Sequence, residues 1–199
     1  MSGKYVLPSF IVAMLVGASV VANAQSVSPS FDCSKASGEV EELICADAEL
    51  AALDRKLSEV YQNALAAWPA EEASKQKALQ RGWIGGRNDC WKQDEVRSCV
   101  EREYQTRTVE LQIQSGQLMA PTPIGYACEG GENQPFFVTF YSETDPPSAV
   151  ITYGNDQVIA FSAPAASGSK YSSGRVELWE HQGEAKVDWF GTELVCKPR

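Results

Sequence analysis

Phe137-Val138-Thr139-Phe140-Tyr141 is where this chain changes character. Its aromatic and β-branched residues read as a strand. Similar short runs follow at 149–153, 158–161, 175–179, 185–189 and 193–195. Between them stand Asp145-Pro146-Pro147, Gly154-Asn155-Asp156, Ser172-Ser173-Gly174 and Gln182-Gly183. Short strands broken by such turn residues predict a small antiparallel sheet or barrel.

Upstream the period is different. Leu50, Leu53, Leu57, Val60, Tyr61, Ala64, Leu65 and Trp68 recur at three- and four-residue intervals, the spacing of one helix face. Asp47 is the expected N-cap, and Pro69 ends this helix or opens the next. A second helix is expected from about Ala70 to Trp83 or beyond, with Leu79, Trp83 and Ile84 facing inward and its end loosened by Gly85-Gly86. A third begins near Glu95 and carries Val96, Val100, Tyr104 and Leu111. Trp68, Trp83 and Trp91 read as core residues. The expected fold class is therefore α+β in two domains. A helical domain spans 31–116, a linker 117–123, and a β domain 124–199.

Three features bound the function. Lys4, the uncharged stretch Phe10–Val21 and Ala22-Asn23-Ala24 form a secretory leader over residues 1–24, cleaved after Ala24. The apolar stretch is too short for a membrane span, which needs roughly 20 residues. A lipid anchor would need a cysteine at the cut, and the first is Cys33, so the mature chain is expected to be soluble and without a membrane anchor. The six cysteines Cys33, Cys45, Cys90, Cys99, Cys128 and Cys196 all follow the leader. An even number in an oxidising compartment predicts three disulfides. Cys128 and Cys196 are expected to join the ends of the β domain, while the four helical-half cysteines allow three pairings. Without Lys4 the chain has 16 basic against 26 acidic side chains, which excludes a phosphate-binding surface for nucleic acid.

Chemistry finds little to work with. No Cys-x-x-Cys pair is present and His181 is the single histidine, so neither a metal nor a cofactor is expected. A hydrolase built on Ser167, His181 and Asp188 lacks the Gly-x-Ser-x-Gly elbow. The chain is expected to be a binding protein and not an enzyme.

Ser167-Gly168-Ser169-Lys170-Tyr171, then Trp179, then Gly183-Glu184-Ala185, framed by Cys128 and Cys196 and opened by Tyr126-Ala127-Cys128-Glu129-Gly130-Gly131, resembles the membrane-bound/periplasmic family of c-type lysozyme inhibitors. That resemblance covers roughly residues 124–198 and implies an eight-stranded antiparallel barrel. Cys33, Glu42-Leu43-Ile44-Cys45, Leu50, Leu53-Asp54, Tyr61, Gln80-Arg81-Gly82-Trp83, Arg87-Asn88-Asp89-Cys90, Cys99 and Tyr104 resemble the N-terminal domain of LprI-type lysozyme inhibitors. This second resemblance covers about residues 31–111.

Together they imply a partner, a basic secreted c-type lysozyme, and a periplasmic or secreted protein of a Gram-negative bacterium that serves evasion of host defence. They also imply contact residues. Ser167 falls at the serine that enters the lysozyme cleft, flanked by Gly168, Lys170 and Tyr171. The family's lysine falls at His181 and the glycine after it at Gln182, so imidazole replaces a permanent cation. Lys170 and Lys186 are the nearby basic alternatives. Tyr171 is expected to pack beneath the loop. The alternative functions are an exported structural or adaptor module without inhibition, and a saccharide-binding module using Trp179 and Trp189.

Overall fold

The computed structural model describes residues 28–129 and 134–199. The expected leader, 1–24, lies outside these residues.

Among the described residues four α-helices precede the sheet: α1 Glu39–Ala46, α2 Ala48–Ala67, α3 Ala70–Asn88 and α4 Val96–Gln114. Asp47 joins α1 to α2, its carboxylate accepting from the amides of Glu49 and Leu50 at 2.9 and 3.1 Å. Helix α1 was not expected, because eight residues hold too few apolar positions to show a period. It forms because Val40 and Ile44, one turn apart, are buried, and Glu39, Glu41 and Glu42 complement its N-terminal dipole.

Helix α3 runs beyond Trp83 as expected, but Gly85 and Gly86 do not loosen it, since it continues through them to Asn88, and Leu79 and Ile84 are exposed and do not face inward. A glycine costs about 1 kcal/mol relative to alanine inside a helix. Here the buried Arg87 and the Cys90–Cys99 bridge just beyond it hold the last turn in place. The other helical bridge is Cys33–Cys45, so both pairings are local. Loops this short stabilise by about 3 kcal/mol each in the chain-entropy account. Trp68 and Trp83 pack against a core of Ile44, Leu50, Val100, Tyr104 and Leu111. Trp91 does not: it is 57% exposed, with the Lys92 ammonium over its ring.

Eight antiparallel strands form a closed barrel in the order β1 to β8. They are Ile124–Glu129, Phe136–Tyr141, Ser148–Tyr153, Asp156–Ala163, Ser169–Ser172, Val176–His181, Glu184–Trp189 and Thr192–Pro198. The architecture is thus α+β, a disulfide-stapled helical region followed by the barrel. Strands β1 and β8 close the barrel in register, with Cys128 opposite Cys196 and bonded to it. That bridge spans a sequence separation of 68, worth about 4 kcal/mol against the unfolded chain. Alternation sends Phe136, Val138, Ile151, Leu178 and Val187 inward to a core separate from the helical one.

Tyr141 and Val150 belong to the outward set yet are buried. Helix α4 lies alongside them, leaving a groove of about 270 Å³ lined by Glu110 and Ile113 on one side and Tyr141, Val150 and Ile159 on the other. Lys56 on α2 adds an ion pair to Asp145 in the β2–β3 connection at 3.1 Å. No helix among the described residues is long and apolar enough to cross a membrane.

Candidate functional site

The β2–β3, β4–β5 and β6–β7 connections leave the barrel at one end, as up-and-down topology requires. Residues 164–168 form the β4–β5 loop and carry Ser167, which is exposed. Two contacts fix this loop. The Trp179 indole N–H donates to the Ser167 carbonyl at 2.8 Å. Gly168 has φ +72°, and a Cβ there would overlap the Glu180 carbonyl oxygen. The loop therefore lies directly on β6, and only glycine allows that approach.

Strand β6 supplies the rest. Its outward residues Trp179 and His181 stack with ring centroids 5.7 Å apart and planes 13° apart. The β6–β7 turn is Gln182-Gly183, with φ 53° and 78°, the positive angles that a two-residue hairpin turn requires. It sets His181 opposite Glu184. Trp179, His181, Gln182, Glu184 and Lys186 line a cavity of about 300 Å³. Among the described residues no group of His, Cys, Asp and Glu side chains is arranged to hold a metal ion.

The inward face of β6 supports the loop from below. Glu180 accepts a hydrogen bond from the Tyr126 hydroxyl at 3.1 Å. Burial, and then the Glu180 charge, raise the pKa of both Tyr126 and Tyr171, so both remain neutral phenols at physiological pH. Tyr171 is half-buried and packs on Phe140 at 5.3 Å between centroids. Lys170 is engaged by Glu177 at 2.8 Å.

The structure thus brings Ser167, Gly168, Trp179, His181 and Gln182 to one end of the barrel. It turns Tyr171 toward the core and ties Lys170 to an acid. The Trp179-to-Ser167 bond had no signal in the sequence, because a side chain reaching a backbone carbonyl 12 residues away leaves no spacing pattern.

A polar cluster in the helical domain also escaped sequence reading. Arg87 donates to the Tyr104 hydroxyl at 2.7 Å, and that hydroxyl donates to Asp54 at 2.9 Å. All three side chains are buried. Burial drives the Tyr104 pKa far above the ordinary phenol range, which keeps its proton available for Asp54.

Comparison with known proteins places these two halves. A model of the family described as membrane-bound lysozyme-inhibitor of c-type lysozyme matches residues 126–195, and a model of lysozyme inhibitor LprI matches residues 33–111. The lipoprotein LprI of Mycobacterium tuberculosis and that of Mycobacterium bovis are each 36% identical over 193 residues, covering 94% of this chain and 96% of theirs. No solved structure matches. Both relatives are mycobacterial, which overturns the expectation of a Gram-negative source. Both halves of the chain match non-catalytic inhibitors, and the likeness to single relatives runs through both. The chain is a non-enzymatic protein and belongs to the LprI family of lysozyme inhibitors.

Proposed function

We propose that this exported protein inhibits c-type lysozyme by presenting the β4–β5 loop to the catalytic cleft, with the Ser167 hydroxyl bonding a catalytic carboxylate. The observation that carries this reading is the clamped loop: an exposed serine whose backbone is held by Trp179 and by the close fit of Gly168 on Glu180. A donor fixed before binding loses little freedom on binding. A c-type lysozyme uses two carboxylates for glycoside cleavage, and a loop without a glycosidic bond can occupy them without reacting. Ten excess acidic charges on the mature chain steer it toward a basic enzyme.

Residues 25–199, assayed against c-, g- and i-type lysozymes, should inhibit the c-type enzyme. In that assay Ser167→Ala should weaken inhibition about 10- to 150-fold, the effect of one charge-assisted hydrogen bond of about 1.5–3 kcal/mol. Full inhibition by a folded Ser167→Ala protein would exclude the inserted serine.

The relatives are named lipoproteins, whereas we infer that the mature form of this chain is soluble. All six of its cysteines are in disulfides, and Cys33, the first, is bonded to Cys45, so no thiol is left to carry a lipid. The intact mass of the exported protein should be that of a chain beginning at Gln25, with no diacylglyceryl increment. Such an increment, or retention in the membrane fraction, would show the anchored form.

A further inference from the structure

Lys170, Trp179 and Lys186 stand side by side across β5, β6 and β7, paired in register. All three therefore project from the outer face of the barrel. The two lysines are not equivalent. Lys170 is partly buried and held by Glu177 at 2.8 Å. Lys186 is exposed and makes no ion pair among the described residues. On β7 its outward neighbours are Glu184 and Asp188, and in register on β8 it faces Val195.

What the Lys186 ammonium does touch is Trp179, lying 5.7 Å from the ring centroid, within cation–π range. The same indole bonds the Ser167 carbonyl. One rigid ring thus joins a hydroxyl-bearing loop to a lysine with no carboxylate partner. The imidazole of His181, at the position where the resemblance placed the cation, is instead stacked on that ring and faces Glu184 across the turn.

We propose that Lys186, and not His181, supplies the cation that meets the lysozyme carboxylates, and that Trp179 is a positioning residue fixing the Ser167 loop relative to it. The proposal rests on the inhibitory reading above. Retaining glycosidases hold their two carboxyl groups about 5–5.5 Å apart, so the hydroxyl and the ammonium must arrive as a spaced pair. An ammonium is fully charged at neutral pH where imidazole is only partly so. Relocating the cation from the end of β6 to β7 thus keeps a permanent charge at the site.

The test is the inhibition constant of the full mature chain against c-type lysozyme at pH 7.5 and fixed ionic strength. Lys186→Gln should weaken inhibition about 10- to 150-fold, and Lys186→Arg should restore most of it. His181→Gln should cost clearly less than Lys186→Gln, because it removes a ring stacked on Trp179 and not the contacting charge, and Lys170→Gln should stay within about 3-fold of wild type, a change below 1 kcal/mol. Trp179→Phe keeps an aromatic face, on a smaller ring, and removes the indole N–H. In that background Ser167→Ala should cost much less than in wild type, a coupling that a purely structural tryptophan would not produce.

If Lys186→Gln inhibits like wild type while Ser167→Ala is impaired, the cation assignment is overturned and the inserted loop stands. A larger loss in His181→Gln than in Lys186→Gln overturns it in favour of the histidine. Additive effects of Trp179→Phe and Ser167→Ala overturn the positioning role. A wild-type chain without inhibition overturns both the proposal and the reading it rests on.

Discussion

Gly168→Ala should abolish more than 100-fold of the inhibitory strength while leaving the barrel folded. The backbone at Gly168 has φ +72°, a region that costs a side-chain-bearing residue about 1–3 kcal/mol. The added methyl also overlaps the Glu180 carbonyl oxygen. That carbonyl cannot retreat, because Glu180 is paired with Ser169 on one side and Ala185 on the other. The loop must lift instead. Lifting breaks the bond between the Ser167 carbonyl and Trp179 and carries the hydroxyl away from the position argued for it.

The loss should therefore exceed that of Ser167→Ala, since the whole loop is displaced and not one oxygen. Thermal unfolding should show a drop in Tm of several degrees, with the near-ultraviolet signal of the barrel tryptophans retained. Gly183→Ala is the control. Its φ is similarly positive, but nothing lies within 4 Å of its Cβ position, so it should show the backbone strain without displacing the serine loop. A Gly168→Ala protein that inhibits within 5-fold of wild type would mean that the observed loop conformation is not the binding one.

Much of this arrangement was legible in the sequence, for identifiable reasons. Helix α2 is amphipathic over 20 residues and opens on an aspartate, so both its face and its start were readable. Six strands carried enough apolar residues to show themselves. Strand β5, Ser169-Lys170-Tyr171-Ser172, did not, because it is four residues long with one apolar side chain. Strand β1 offers only Ile124, Tyr126 and Cys128 around a glycine and an alanine. Both were expected solely from the resemblance to an eight-stranded family. Trp91 shows the opposite failure: an aromatic residue at helical spacing reads as core, yet it stands in solvent.

Within the candidate site, Ser167, Gly168 and Tyr171 were named from the motif. The indole bond that fixes the serine, and the Glu177 carboxylate that occupies Lys170, depend on cross-strand register. Register is set by turn geometry and by which face each strand buries, and neither can be counted along a chain.

Arg87→Met should destabilise the helical domain by about 3–5 kcal/mol, the usual cost of removing one member of a buried charged pair. Arg87 and Asp54 are 4% and 7% exposed, and the Tyr104 hydroxyl stands between them. The guanidinium also bonds Asn88 at 2.7 and 3.1 Å, and the Ser30 amide donates to Asp54. Without Arg87 the carboxylate remains buried with hydrogen bonds but no counter-charge. Tyr104→Phe should cost less, about 1–3 kcal/mol, because it removes one bridging hydroxyl and leaves both charges in place.

The double change Arg87→Met with Asp54→Leu should recover a substantial part of the loss, since apolar replacements of a buried pair are often tolerated. Urea unfolding followed through Trp83, whose ring lies 5.5 Å from that of Tyr104, reports on this domain. The barrel has its own core and its own disulfide, so lysozyme inhibition should survive Arg87→Met at temperatures where the helical domain has unfolded. Inhibition that falls in step with the urea transition would instead make α1 to α4 part of the lysozyme contact, alongside the loops at the same barrel end, where Lys56 reaches Asp145.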